Sequence, residues 1–147
     1  MKKIIGLFLC ILVLTACNSS DEPKLLDVNL VINPETADVN SPVVFEAEVT
    51  YGGEPVENAD EVKFEVWRSK SDNHEKVVVE HTEDGVYVLE KSFAEEGTYY
   101  VYAHVTAENM HAMPKKEFII GEPSEPEENP KSNTMNEHDE ESDDHSH

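Results

Sequence analysis

Between His104 and Met113 the chain reads His-Val-Thr-Ala-Glu-Asn-Met-His-Ala-Met, which places two of its seven histidines and two of its four methionines within ten residues. Imidazole nitrogens and thioether sulfurs together form a ligand set suited to copper, above all Cu(I), and poorly suited to calcium or magnesium. His104, Met110, His111 and Met113 are therefore candidate metal ligands. The same residues also admit a plainer reading, in which the methionines fill gaps in a hydrophobic core and the histidines are surface polar groups. Zinc and calcium fit less well, since methionine is a poor ligand for either and no Asp/Asn-rich loop of calcium spacing is present.

Any soft ligand has to be methionine, because the N-terminal pattern removes both cysteines. Lys2 and Lys3 precede an almost unbroken apolar run from Ile4 to Leu14, which leads into Leu14-Thr15-Ala16-Cys17. The run is short for a transmembrane helix and has the form of a secretory signal. Its Leu-x-Ala-Cys ending resembles the lipobox of bacterial lipoproteins, which implies cleavage before Cys17, lipid modification of its thiol and an extracytoplasmic protein anchored to the cell membrane. Residues 1–16 are then a signal peptide and residues 17–24 the lipidated cysteine and a tether. The stretch from Asn18 to Lys24 reaches only about 23 Å when fully extended, at ~3.3 Å per residue. With Cys10 discarded and Cys17 acylated, no thiol remains for a disulfide, a nucleophile or a cysteine-ligated zinc site.

The formal net charge of −21 becomes −23 once Lys2 and Lys3 are removed. Such a surface repels nucleic acid and favours cations. Residues 122–147 are rich in Glu, Asp, Ser, Pro and Asn, with Thr134 as their only β-branched residue and no aromatic one. A segment of that composition cannot bury a core and is expected to be disordered. Its His138, His145 and His147 form a second, weaker candidate site for loosely held cations, alongside the reading of a solvated acidic tail with incidental histidines.

Residues 25–121 remain as one small domain, and their pattern is strand after strand. Expected strands cover Leu25–Ile32, Pro42–Thr50, Glu61–Trp67, Glu75–Glu80, Val86–Phe93, Thr98–Thr106 and Lys115–Ile120, separated by turn signals such as Gly52-Gly53 and Asp84-Gly85. About seven short strands and no amphipathic helix predict an all-β protein, a single antiparallel β-sandwich. Glu95-x-Gly97-x-Tyr99-x-Val101 resembles the tyrosine corner of immunoglobulin-like domains, with valine in place of the disulfide cysteine. It turns Tyr99, Val101, Ala103 and Val105 inward and Tyr100, Tyr102 and His104 outward. Trp67 also faces outward, by alternation with Val62, Phe64 and Val66. In this topology the connections after the second, fourth and sixth strands gather at one pole. That pole receives His104, Met110, His111 and Met113, and also His81 from a separate hairpin, whereas His74 belongs to the opposite pole and drops out as a ligand.

The residues His81 to Tyr87, Gly97 to His104 and Met110 to Phe118 carry a resemblance to the YtkA-like or FixH-like domain of bacterial membrane-associated proteins, and a more distant one to β-sandwich copper carriers of the CopC type. The resemblance spans essentially the whole folded part. It implies a non-enzymatic extracytoplasmic protein connected with copper handling or with assembly of a respiratory oxidase. A lipid anchor departs from the transmembrane layout of FixH-like proteins.

Two functions are expected from these readings. In the first, a membrane-anchored lipoprotein binds copper through His81, His104, Met110, His111 and Met113 and passes it to a membrane or extracytoplasmic acceptor. In the second, no metal is involved, and the outward Trp67, Tyr100 and Tyr102 form an aromatic patch for a protein partner. A hydrolase is disfavoured, because no nucleophile elbow or His/Asp-paired serine can be placed.

Overall fold

The computed structural model describes residues 22–127; Cys17 and the tail histidines His138, His145 and His147 lie outside the described residues. Two sheets face each other. The first has the order β1 (Leu26–Asn33), β3 (Pro42–Tyr51), β8 (Val86–Ser92) and β7 (His81–Glu83), with β4 (Glu54–Pro55) paired to β3. The second has the order β2 (Thr36–Ala37), β11 (Lys115–Ile120), β9 (Gly97–Ala107), β5 (Glu61–Arg68) and β6 (Glu75–Val79), with β10 (Met110–Ala112) also paired to β9. This is the all-β, immunoglobulin-like sandwich that the alternation of apolar residues predicts. Among the described residues, the one departure from purely antiparallel pairing is the short parallel contact of β2 with β11.

Alternation explains the core. On β3, Val43, Phe45, Ala47 and Val49 are buried; on β5, Val62, Phe64 and Val66; on β9, Tyr99, Val101, Ala103 and Val105. With a side-chain period of two, each strand presents one apolar row, and the two rows of facing sheets close over each other. Phe45 sits at the centre, with ring centroids 5.1 Å from Phe118, 6.2 Å from Phe64 and 6.3 Å from Phe93. The tyrosine corner forms as its motif implies: the Tyr99 hydroxyl donates to the Glu95 carbonyl at 2.8 Å.

The expected strand over residues 75–80 forms as Glu75–Val79, and a further strand, His81–Glu83, follows it. Glu75–Val79 pairs with β5, the chain changes sheets at Glu80, and His81–Glu83 pairs with β8. Two tight hairpins position the candidate histidines and methionines. Asp84 and Gly85 (φ 49° and 76°) turn β7 into β8, and Glu108 and Asn109 (φ 52° and 60°) turn β9 into β10. Positive φ at both central positions is the geometry whose twist matches that of paired strands. At Gly85 glycine is also needed for space, since a Cβ there would lie 2.7 Å from the Val49 carbonyl oxygen.

Phe45 is fully buried in the aromatic centre, so Phe45→Ala should lower unfolding stability by about 3–5 kcal/mol. Urea unfolding followed by circular dichroism checks it, with a loss under ~1 kcal/mol arguing against a shared core.

Candidate functional site

The Glu108-Asn109 hairpin makes the Met/His run a strand and not a loose loop. Met110 lies opposite Ala107, His111 opposite Thr106 and Ala112 opposite Val105, and beyond a short break Lys115 lies opposite Tyr102 in the same unbroken register. That register sets Met113 across from His104. By alternation His104, Thr106, His111 and Met113 share the outer side of the sheet, while Met110 shares the inner side with the buried Ala107. The His104 and His111 ring centroids are 5.9 Å apart. Met113 is 45 % exposed.

His81 does not join them. It stands on the other sheet, where its Nε2 accepts the Gly85 amide at 3.0 Å and its ring lies 5.3 Å from Tyr87. The lone pair of its Nε2 is used by its own hairpin. Met110 faces the wrong side of the strand. Among the described residues, no three His, Cys, Asp or Glu side chains are grouped so that they could hold a metal ion. What the fold brings together is a pair of imidazoles, with Met113 placed by the register across from one of them.

Beneath His104 lies a residue with no motif around it to mark it in the sequence. Glu65 on β5 accepts from His104 Nε2 through Oε2 at 2.6 Å, and from His74 Nδ1 through Oε1 at 2.7 Å. Its side chain is only 12 % exposed. Burial raises the pKa of this carboxyl, but the hydrogen bonds from His74 and His104 and the charge of Lys76, 3.9 Å away, outweigh it and hold the group below the usual carboxylate range. Nearer the hairpin, the hydrogen bond and charge of Lys63 hold Glu61 below that range too, with smaller contributions from His104 and His111. His74 follows β5 at the far end of the sheet, as its place in the chain requires. Its ring folds back to stack on Trp67, with centroids 4.4 Å apart and planes 5° from parallel, so it reaches the site through Glu65. The signal available in sequence is outward parity: Glu65 alternates with Phe64 and Val66 and shares the outer side with His104.

The aromatic patch is present but covered. Trp67 and Tyr100 point outward from the sheet as their parity requires, yet they are 4 % and 6 % exposed, while Tyr102 is half-buried. Lys115 lies over all three rings, with Nζ 4.4 Å from the Tyr100 centroid and 5.0 Å from that of Trp67. The chain after β11 completes the cover. Trp67 Nε1 donates to Glu127 Oε1 at 2.9 Å, the Glu127 amide donates to the Tyr100 hydroxyl oxygen at 3.0 Å, and Ser124 and Glu125 bond Thr98 and Ser69. Residues 122–127, expected to begin a disordered tail, thus lie along the sheet. A tryptophan Nε1–H buried on a strand needs an acceptor, and the acidic segment supplies one.

The YtkA-like family model matches residues 20–104, more than half of the sequence. The chain belongs to the YtkA-like family. The match ends at His104, so the His111 and Met113 part of the site lies beyond it. No curated protein matches the sequence. Among solved structures, the chain is similar to the CARDB domain of the PF1109 protein of Pyrococcus furiosus, at 20 % identity and a TM-score of 0.44 over 68 % of this chain and 90 % of that one. It is also similar to the soluble domain of PmoD from Methylocystis, at 10 % identity and a TM-score of 0.42 over 67 % and 92 %. Against the alkylpurine DNA glycosylase AlkC of Pseudomonas fluorescens the values are 10 % and 0.47, and the YtkA-like chain spans only 30 % of that protein.

The geometry around Glu65 makes stability depend on pH. A carboxyl whose pKa is lowered on folding contributes stability above its unfolded value, about 4.3, and loses it as pH falls through the lower folded value. Glu65→Gln should therefore destabilise the domain more at pH 7 than at pH 3 in paired urea titrations; an equal loss at both would show that the carboxylate charge is not what matters. Truncation after Gly121 should cost about 1–3 kcal/mol through the lost hydrogen bonds and red-shift the emission of Trp67, the single tryptophan.

Proposed function

We propose that this YtkA-like protein is a non-enzymatic, lipid-anchored carrier of copper on the extracytoplasmic side of the membrane, with His104, His111 and Met113 as its donors. The observation that carries the reading is the outward row set by the Glu108-Asn109 hairpin, with His104 and His111 rings 5.9 Å apart and Met113 across from His104. With metal–nitrogen bonds of ~2 Å, two imidazoles sharing one ion have centroids roughly 5–6.5 Å apart, so the spacing fits a shared ion. Two imidazoles and a thioether, with no thiolate available in the domain, suit Cu(I) better than a hard cation. His81 and Met110 are left out of the donor set, the first because its nitrogen serves its own hairpin and the second because its strand parity turns it inward.

The cargo is expected to arrive and leave from the open side of the sheet, since Met113 and His111 are both exposed. The net negative charge raises the local concentration of cations. A lipid on Cys17 would hold the domain at the membrane through a tether short enough to keep the site within reach of a membrane acceptor. β1 begins opposite the end of β3, Leu26 across from Tyr51, beside Glu54, Pro55 and Glu108. The tether therefore enters at the end of the sandwich where the β9–β10 hairpin lies.

The test is a Cu(I) competition titration on the soluble chain from Asn18 onward, with His138, His145 and His147 changed to Ala so that the tail cannot contribute. His104→Ala, His111→Ala and Met113→Ala should each weaken binding about tenfold or more, ~1.4 kcal/mol, while His81→Ala leaves it unchanged. Equal affinity across all four variants would overturn the proposal.

A further inference from the structure

We infer that Glu65 is a positioning residue that fixes the tautomer of His104, so that Nδ1 is the nitrogen His104 presents to an incoming ion. The inference rests on the copper reading for the identity of the ion, but its structural part stands without it. An ionised carboxylate has only acceptor oxygens. Both ring nitrogens that touch Glu65, His104 Nε2 at 2.6 Å and His74 Nδ1 at 2.7 Å, must therefore be the protonated ones. A neutral imidazole with its proton on Nε2 has its lone pair on Nδ1. His104 is thus oriented in the manner of a metal-ligating histidine whose second nitrogen is held by a carboxylate.

The hold is itself supported. Glu65 cannot swing away without breaking two short hydrogen bonds at once, because its two oxygens are held by different histidines. His74, in turn, is clamped flat against Trp67, and Trp67 is pinned from its edge by Glu127. The row from Glu127 through Trp67, His74 and Glu65 to His104 is contiguous, and each contact restricts the rotamer of the next. On His111 the arrangement is mirrored with a weaker partner: its Nδ1 meets the Thr106 hydroxyl at 3.1 Å, which leaves Nε2 to face an ion. One ion held between His104 Nδ1 and His111 Nε2 would then use different nitrogens of the two rings, a mixed ligation that neither sequence spacing nor residue type reveals. A hydroxyl can donate or accept, so Thr106 orients His111 without fixing its tautomer, whereas the carboxylate fixes that of His104.

Nitrogen-15 NMR of the imidazole rings in the soluble chain from Asn18 onward, recorded at a pH where His104 is neutral, decides the matter. The metal-free protein should show His104 with its proton on Nε2, and Glu65→Ala should shift it to a mixture of tautomers while the amide spectrum stays that of the folded domain. On adding Cu(I), or Ag(I) as a redox-stable probe, the Nδ1 resonance of His104 should move, and Glu65→Ala should weaken Cu(I) binding by about 10–100-fold. His74→Ala should give a smaller change in the same direction, since it frees one oxygen of Glu65 and leaves the other bonded. A proton on Nδ1 in the metal-free wild type, or a metal-induced shift at His104 Nε2, overturns the inference. If the wild type takes up no Cu(I), the copper reading falls, and the metal-free spectrum still decides whether Glu65 sets the tautomer.

Discussion

The alternation of β9 is the constraint on which both the core and the outer face depend. This strand runs unbroken from Gly97 to Ala107 and pairs with β5 on one side and with β10 and β11 on the other. Its inward residues, Tyr99, Val101, Ala103 and Val105, are buried in the core, and its outward residues, Tyr100, Tyr102, His104 and Thr106, line the outer face of the sheet. A slip of one residue would exchange the two sets, placing His104 in the core and Val105 in solvent. Register is therefore held by the full cost of exposing the core, and the outward row inherits that precision. The tyrosine corner and the Glu108-Asn109 hairpin fix the two ends of the same strand, one by a hydrogen bond and the other by a turn whose length admits no slack.

Much of this is legible in the sequence because it depends on a period of two. The all-β class, the inward residues of β5 and β9 and the shared outward side of Trp67, Tyr100 and His104 come from local alternation, and the tyrosine corner from a local motif. What is not legible depends on partners brought together from far along the chain. Sequence places His81 on a hairpin, but nothing in it says that the Nε2 of that residue accepts the Gly85 amide. Alternation turns Trp67 outward, but its burial depends on His74, Lys115 and Glu127, the last of them 60 residues away. The break at Glu80 is invisible because no glycine or proline interrupts the run from Glu75 to Glu83, and only the choice of partner strand divides it.

Outward does not mean exposed on this sheet, and the difference has an energetic origin. A flat row of Trp67, Tyr100 and Tyr102 would leave a large apolar surface in water. The chain covers it with polar groups: the Lys115 ammonium lies over the three rings, and Glu127 bonds the Trp67 indole and the Tyr100 hydroxyl. Each polar group buried in this way needs a partner, and the cover supplies them: Trp67 Nε1 meets Glu127, the Tyr100 hydroxyl accepts the Glu127 amide, and Thr98 and Ser69 bond the backbone and side chain of the acidic segment. No buried side-chain nitrogen or oxygen among the described residues is left without a partner. Acidic residues that look like solvating filler in the sequence are, at Glu125 and Glu127, structural acceptors.

The same logic separates the donors of the proposed site by rigidity. His104 is 16 % exposed at its side chain and tied to Glu65, which is itself held from two directions. Met113 stands at the open edge, and His111 is exposed with the Thr106 hydroxyl beside its ring. A carrier has to give up its cargo, and release is fastest when an acceptor can replace donors one at a time from the solvent side. A site with one fixed imidazole at its floor and two accessible donors at its rim meets that requirement: the rim donors can be exchanged first while the floor keeps the ion in place. Thioether and imidazole, without a thiolate, also keep each individual bond weak enough to exchange. On this reading, the lack of cysteine among the described residues and the exposure of Met113 belong to one functional requirement, a site that holds copper long enough to carry it and loosely enough to hand it on.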